Sequence, residues 1–465
     1  MPTRAPLDAK TARWLPWVVA IAFFMQSLDG TILNTALPAM AQDLAENPLR
    51  MQGVVIAYML TVALLIPASG WIADRFGTKK IFFGAIMLFS IGSLLCALSS
   101  SLSMLVGARV VQGLGGALML PVGRLVVLRA YPITIPGLLG PLLGPTMGGW
   151  MVQYMTWHWI FLINLPVGII GCFAVWKFIP DLRGSERTRF DSMGFVLFGA
   201  AMVLITIAME GLGELHLPHL RVMLLLFGGL ACLAAYWLRA GHIENPLFSP
   251  VLFKTRTFAV GILGNLFSRL GSGALPFLVP LLLQVALGYS PSQAGMSMLP
   301  LAAAAMFAKS IARPLIERLG YRVVLTGNTL ALGLMLASMG LVSEQTPYPL
   351  LLAMLAVLGA INSFQFTAMN TVTLIDLDDA QASSGNSLLS VVAQLSLSLG
   401  VACAGALLGG FTAEAGNDGV NTVLGAFQLT FLTVGVMAML AAAIFLQLSP
   451  SDGKRAINRE HDLEH

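Results

Sequence analysis

The sequence predicts an all-α polytopic membrane protein of fourteen transmembrane helices, arranged as six, two and six. Three observations predict it. Of the 465 residues, 57% are apolar and only 10% are charged, against about 25% charged in a soluble domain. Uncharged apolar runs long enough to cross a bilayer, about 20 residues each, recur along the whole chain. The 47 glycines and 24 prolines would unsettle soluble helices, whereas in a membrane bundle neighbouring helices re-satisfy the freed backbone groups.

Taken in order, the first run, 14–37, follows Lys10 and Arg13 and stops at Pro38. It is too long for a signal-peptide core and lacks a clean small-residue cleavage site, so it is expected to remain as a helix. Runs 50–73 and 79–99 flank a charged loop, and 103–128 stops at Arg129. Run 133–155 carries Pro136, Pro141 and Pro145, yet its length and lack of charge place it in the membrane. Runs 159–179, 190–210 and 220–240 follow, then 256–286, 293–316, 321–342, 348–372, 384–410 and 423–448. Nineteen basic residues then fall at one membrane face, among them Arg75, Lys79, Lys80, Arg239, Lys254, Arg318 and Arg322, against Arg50 and Arg221 at the other. Basic residues mark the cytoplasmic face, so both termini are expected in the cytoplasm.

A loop motif recurs. Asp74-Arg75-Phe76-Gly77-Thr78-Lys79 follows helix 2, and Glu317-Arg318-Leu319-Gly320-Tyr321-Arg322 follows helix 10. Acid, Arg, apolar, Gly, any, basic in register, eight helices apart, implies an internal duplication. Polar residues inside the runs obey the same offset. Helix 1 holds Gln26 and Asp29, helix 4 Arg109 and Gln112, helix 9 Asn265, Ser268, Arg269 and Ser272, and helix 12 Asn362 and Gln365. Each set lies on one helix face, and eight added to 1 and 4 gives 9 and 12. The division that follows is 14–180 and 256–448 as six-helix bundles, 181–255 as two inserted helices with linkers, and 449–465 as a tail.

These residues resemble the major facilitator superfamily, and within it the fourteen-helix drug:proton antiporter group. Leu28 to Pro38 is similar to that group's helix 1 signature, Gly70 to Lys80 to its loop motif, Arg109 to Gly116 to its helix 4 motif, and Gly140 to Gly149 to its helix 5 antiporter motif. Gly30 stands where the group usually has a hydroxyl residue, and the connector 129–132 is several residues short. The resemblance implies proton-coupled efflux of small molecules across a bacterial inner membrane by alternating access, with no cofactor beyond the proton gradient. Drugs, protons and lipid are the partners it implies, for a monomer.

Within that frame Asp29 is the one carboxylate read as deep in a span. Intramembrane acids are functional by default; its simpler role is as a static partner for Arg109. Asp29 lies nine residues from Pro38 and Arg109 six from Ser103, so their depths differ by about 5 Å and the two are expected to meet. Gln26, Gln112, Asn265, Ser268, Arg269, Ser272, Asn362 and Gln365 are expected to face a substrate cavity, with Phe23, Phe24, Met25, Met119, Phe364, Phe366 and Met369 as its apolar lining or as ordinary core. Gly70, Asp74, Arg75, Gly77, Lys79, Glu317, Arg318 and Arg322 are expected to act as a latch, or to be a solvated turn. Gly140, Gly144 and Gly148, with Pro141, Pro145 and Gly149, form a small-residue face that serves packing and, by resemblance, a pivot or seal.

Other functions are weaker on these residues. Four isolated cysteines and no paired histidines give no metal site. A net charge of +4 in scattered clusters leaves no stripe for nucleic acid. No loop is long enough for an enzyme domain. The alternative transport function is export of an anionic metabolite or metal chelate such as iron citrate, since the spans hold Arg109, Arg124, Arg269 and Lys309 against Asp29.

Overall fold

The computed structural model describes residues 9–128, 139–179, 190–212, 218–415, 422–450 and 452, and among these every regular element is a helix. Thirteen segments among the described residues are long and apolar enough to cross a membrane. The remaining expected run contains the 16-residue helix Leu139–Tyr154; 129–138, with the short connector, lies outside the described residues.

The helices are α1 (Ala9–Ile32), α2 (Gln52–Phe76), α3 (Thr78–Ala97), α4 (Leu102–Leu128), α5 (Leu139–Tyr154), α6 (Asn164–Phe178), α7 (Ser192–Leu212) and α8 (His219–Ala240). Then come α9 (Arg256–Ser272), α10 (299–319), α11 (321–339), α12 (Tyr348–Leu374), α13 (Asp379–Ala415) and α14 (Thr422–Leu440). Short helical turns extend several of them. Ser290 starts one, Pro291–Ser297, just before α10: its hydroxyl accepts from the Gln293 N–H while the Gln293 side chain accepts from the Ser290 N–H, closing two orphan donors of a helix start.

The duplication is visible in the backbone. Gly77 between α2 and α3 has φ 95°, ψ 136°, and Gly320 between α10 and α11 has φ 76°, ψ 159°. Both occupy the same place in the acid-Arg-apolar-Gly motif. This conformation is close to glycine-only, so each glycine sets the sharp reversal between two long helices.

Helices α1 to α6 pack mainly on one another, as do α9 to α14. Two interfaces join the sets: α2 lies along α13, and α5 lies against the Pro291–Ser297 turn and α10. Adding eight to 2 and 5 interchanges these interfaces, as a duplicated pair of bundles requires. At the end of the bundle away from Ala9 and Phe445, here the far end, the second interface is zippered. Gln284 Nε2 donates to the Thr35 carbonyl at 3.0 Å, the Ser292 N–H to Gln153 Oε1 at 3.1 Å, and Thr146 Oγ1 to the Gly295 carbonyl at 3.5 Å. Gly149 and Gly295 have no room for a side chain, each abutting a proline carbonyl of the other set. One apolar core crosses both sets here, including Leu37, Phe161, Leu278, Leu336 and Phe427.

α7 and α8 pack on each other, and α7 also touches α2 and α13. Asp191 clamps their other end. Its carboxylate accepts from the Gly194 N–H at 2.9 Å, Arg239 Nη1 at 2.6 Å and the Leu247 N–H at 3.2 Å. Burial opposes the charged form, but these bonds and the Arg239 charge outweigh it and hold the Asp191 carboxyl below its ordinary pKa. The clamp therefore contributes stability at pH values above the usual carboxylate range, and that contribution is lost as pH falls through the lowered folded-state value. Asp191→Ala is expected to destabilise the protein by about 2 kcal/mol. Melting in detergent at neutral pH measures the loss, and the difference from the parent should shrink in strong acid.

Candidate functional site

The acid of α1 and the base of α4 meet as their depths predict. Arg109 Nη1 donates to Asp29 Oδ2 at 2.7 Å, and both side chains are 1% exposed. The same nitrogen reaches Gln112 Oε1 at 2.6 Å, and Arg109 Nε reaches the Val54 carbonyl of α2 at 3.3 Å. Gln112 Nε2 donates to Asp29 Oδ1 at 2.8 Å and to Ser93 Oγ at 2.8 Å. Asn164 Nδ2 donates to Asp29 Oδ1 at 3.3 Å and to Ser93 Oγ at 3.2 Å. The guanidinium lies 4.3 Å from the Tyr58 ring centre, a favourable face for a desolvated cation. Five helices thus meet at this cluster, two of them, α4 and α6, bonding the Asp29 carboxylate directly.

A buried ion pair is tolerated only when its remaining hydrogen-bond capacity is filled, and here Asp29 accepts three bonds. The arrangement can switch. A proton on Oδ2 converts the acceptor of Arg109 into a donor facing a cation, so the pair must separate or rearrange. Ser93, Asn164 and Tyr58 were not legible as site residues: Asn164 is a lone amide in its run, and Ser93 and Tyr58, though three residues from Ser90 and Thr61, are residue types that serve ordinary helix packing equally well. Gly113 and Gly116, one turn further along α4, seat that helix against Thr61 and Tyr58 of α2, the close contact their spacing implies.

A separate cavity of about 340 Å³ opens between the two sets. Thr31, Asn34 and Thr35 line it from the first set. From the second come Arg269 and Ser272 of α9, Met298 before α10, Met306 and Lys309 of α10, and Asn362, Phe366 and Met369 of α12. Of the eight polar residues expected here, Arg269, Ser272 and Asn362 line it. The others are placed elsewhere. Gln112 belongs to the Asp29 cluster, and Gln26 donates to the Gly116 carbonyl at 3.3 Å. Gln365 bonds Asn328 and Thr329 of α11 at 2.8 and 2.7 Å. Asn265 and Ser268 are fully buried in α9, each with an oxygen lacking a partner. Phe366 and Met369 line the cavity, whereas Phe23, Phe24, Met25, Met119 and Phe364 pack in apolar cores.

Arg269 is the cavity's distinctive group. It is 5% exposed, its Nη2 has no hydrogen-bond partner, and its guanidinium stacks 4.4 Å from the Phe366 ring centre. No carboxylate among the described residues pairs with it.

The helix 5 motif divides its work. Gly140, Gly144 and Gly148 seat α5 on Ser27, Thr31 and Thr35 of the first helix region, while Gly149 and Pro145 meet the Pro291–Ser297 turn. The Pro141 side chain lies outside the described residues. In the loop motifs Gly70, Asp74, Arg75, Glu317 and Arg318 are exposed, Lys79 and Arg322 are half-buried, and Gly77 is buried. Asp74 makes no ion pair among the described residues, and Arg75 lies over Trp71 and Phe76. Asp29 is buried deep in its helix, but a second acid stands at the edge of a span. Glu210, in the last turn of α7, sits half-buried against α2; its position at the end of its run hid it.

The model of the Major Facilitator Superfamily matches residues 19–401, with a second match over 261–463. The chain is 47% identical to the provisionally named multidrug resistance protein MdtD of Pectobacterium atrosepticum over 461 residues, 96% of this chain and 98% of that one. Against the MdtD of Cronobacter sakazakii the identity is 48% over 459 residues, 96% of this chain and 97% of the other. Its fold is similar to the inward-facing, unoccupied structure of a bacterial homologue of the human lysosomal transporter Spinster, with TM-score 0.67 and 16% identity over 97% of this chain and 98% of that one. A D-xylose-proton symporter matches with TM-score 0.64 and 14% identity over 94% and 98%. The chain belongs to the Major Facilitator Superfamily, a family of membrane transporters.

Proposed function

We propose that the protein exports small amphipathic molecules across the bacterial inner membrane in exchange for protons, as a monomer. The observation that carries this reading is the buried Asp29–Arg109 pair, which lies apart from the cavity and can change its contacts on protonation. The names of the MdtD relatives support drug efflux. So does a cavity walled by Met298, Met306, Met369 and Phe366, since soft side chains adapt to varied shapes.

The moving bodies are the six-helix bundles 14–180 and 256–448, with 181–255 inserted between them and 449–465 as tail. Basic residues put the terminal end in the cytoplasm. With the far end zippered, the cavity belongs to an inward-facing state, in which latch residues such as Asp74 stand exposed. Protonation of Asp29 would free Arg109 from α1, loosen the α1/α4 contact and favour the other state by population shift.

The coupling role has a direct test. Asp29→Asn keeps the polar shape but not the charge, and is expected to lower pH-gradient-driven dye efflux from proteoliposomes to background while the protein still elutes as a monomer. Undiminished gradient-driven export by that variant would remove Asp29 as the coupling site.

For the latch, Asp74→Asn and Glu317→Gln are each expected to raise the inward-facing population. Single cysteines introduced on the cavity wall should then label several-fold faster from the cytoplasmic side. Labelling at the parent rate in both variants would leave the motif as a solvated turn.

Arg269 favours a second, narrower reading in which the cargo is an anion, such as a carboxylate metabolite or its metal chelate. A desolvated guanidinium without an acceptor is costly, and a carboxylate-bearing ligand supplies one. Arg269→Ala is then expected to weaken citrate binding about tenfold or more while a cationic dye binds as well as before or better. Equal loss for both in direct binding measurements would make Arg269 a strut and leave the amphipathic-drug reading alone.

A further inference from the structure

Asp29 is 1% exposed and does not line the cavity. A proton that reaches it therefore needs a path other than the one the cargo uses. Glu210 lies where such a path would start. It sits in the last turn of α7, one turn beyond Thr206, at the far-end edge of the seam between α7 and α2. The point where a Cβ on Gly53 would stand is 3.7 Å from Glu210 Oε1 and 3.8 Å from Val106 Cγ2. Val106 precedes Arg109 by one turn of α4, about 4.5 Å along the axis. The residue after Gly53, Val54, accepts the Arg109 Nε bond. One short stretch of α2 backbone thus separates the carboxyl of Glu210 from the ion pair.

The polar groups around it are incomplete. Glu210 makes no hydrogen bond or ion pair among the described residues. Thr206 Oγ1, one turn back on α7, is buried without a partner and its residue is 0% exposed; Gln52 Oε1, also unpartnered, turns instead toward Gly405 of α13. An unpartnered hydroxyl one turn from a carboxyl suits a group that carries a proton part of the time. Toward this end the charged and titratable groups of the neighbouring elements are His219 and Arg221 in the first turn of α8, Arg50 ahead of α2, paired with Glu46, and Cys403 on α13; Tyr58 of α2, Cys232 of α8 and Arg109 of α4 lie deeper, and Asp74, Arg75, Tyr236, Arg239 and Asp379 lie toward the opposite end.

We propose that Glu210 is a second proton-carrying carboxyl, which takes protons from far-end water and passes them through the first bundle to Asp29, bypassing the cargo cavity. This rests on the proton-coupled reading and deepens it. In the transfer the O–H bond of Glu210 breaks and an O–H bond forms on Asp29 as Arg109 withdraws. Glu210 is left ionised and is reloaded from the outer solution. The inserted pair α7–α8 then carries a functional group of its own, beyond spacing the two bundles.

Proteoliposomes loaded with ethidium, under an imposed pH gradient, test this with Glu210→Gln, Glu210→Asp and the parent. Glu210→Gln is expected to slow gradient-driven efflux about fivefold or more, and Glu210→Asp to stay within about twofold of the parent. Infrared difference spectra of the purified protein, titrated in pH, should show a protonated-carboxyl C=O band that Glu210→Gln removes; this readout does not depend on transport. A monomeric Glu210→Gln protein with parent-level efflux across the pH range, or with the band unchanged, overturns the proposal while proton coupling stands. A parent that ignores the pH gradient overturns both.

Discussion

A carboxylate and a guanidinium with almost no exposure to solvent constrain the first bundle. Each would cost several kcal/mol if left alone in a low-dielectric interior, so the surrounding helices are arranged to leave neither alone. Gln112 bridges acid and base, Asn164 and Ser93 complete the acceptor side, and Tyr58 offers its ring face to the cation. These contacts draw in α1, α2, α3, α4 and α6. Close packing of α4 on α2 at Gly113 and Gly116 brings the guanidinium within reach of the Val54 carbonyl. A change at Asp29 is therefore felt by five helices at once.

The second bundle repeats the architecture without the pair. Gln365 of α12 hydrogen-bonds a hydroxyl on α11, as Gln112 of α4 does on α3. Where α1 places an acid, however, α9 places Arg269, and it faces the cavity unpaired. Duplication supplied two similar frames, and side-chain substitution made one a closed charge cluster and the other a wall of the binding space. On the proton-coupled reading this asymmetry separates the labour: protons act inside one bundle, and cargo contacts mainly the other.

The two seams between the bundles differ in chemistry. At the far end, glycine against proline carbonyl and three hydrogen bonds allow the backbones to meet directly. Near the loop motifs Asp74, Arg75 and Arg318 are exposed, with Lys79 and Arg322 half-buried. Small residues give a tight contact that side-chain bulk cannot fill, whereas charges give one that solvent can dissolve. A transporter that alternates between two states needs contacts of modest and comparable strength at its two ends.

Periodicity and composition were sufficient for the helix count, the eight-helix offset and the meeting of Asp29 with Arg109, because run length and depth follow from 1.5 Å per residue in a slab of set thickness. The acid-Arg-apolar-Gly repeat announced the duplication, and the structure added that both of its glycines take a positive φ. Which polar face met which neighbour was not legible. Asn265, Ser268 and Gln365 lie at helical spacing from the cavity residues Arg269, Ser272 and Asn362, yet a helix face is wide enough to serve both a cavity and an adjoining helix, and only packing divides it; Gln112 stands on α4, none of whose described residues lines the cavity. A single polar residue such as Asn164 leaves no periodic trace, a small hydroxyl such as that of Ser93 is an ordinary packing residue of membrane helices, and Glu210 falls where a span grades into its loop. Helix positions are local properties of the chain, whereas partners are chosen by the rotation and tilt of whole helices, which the tertiary structure alone decides.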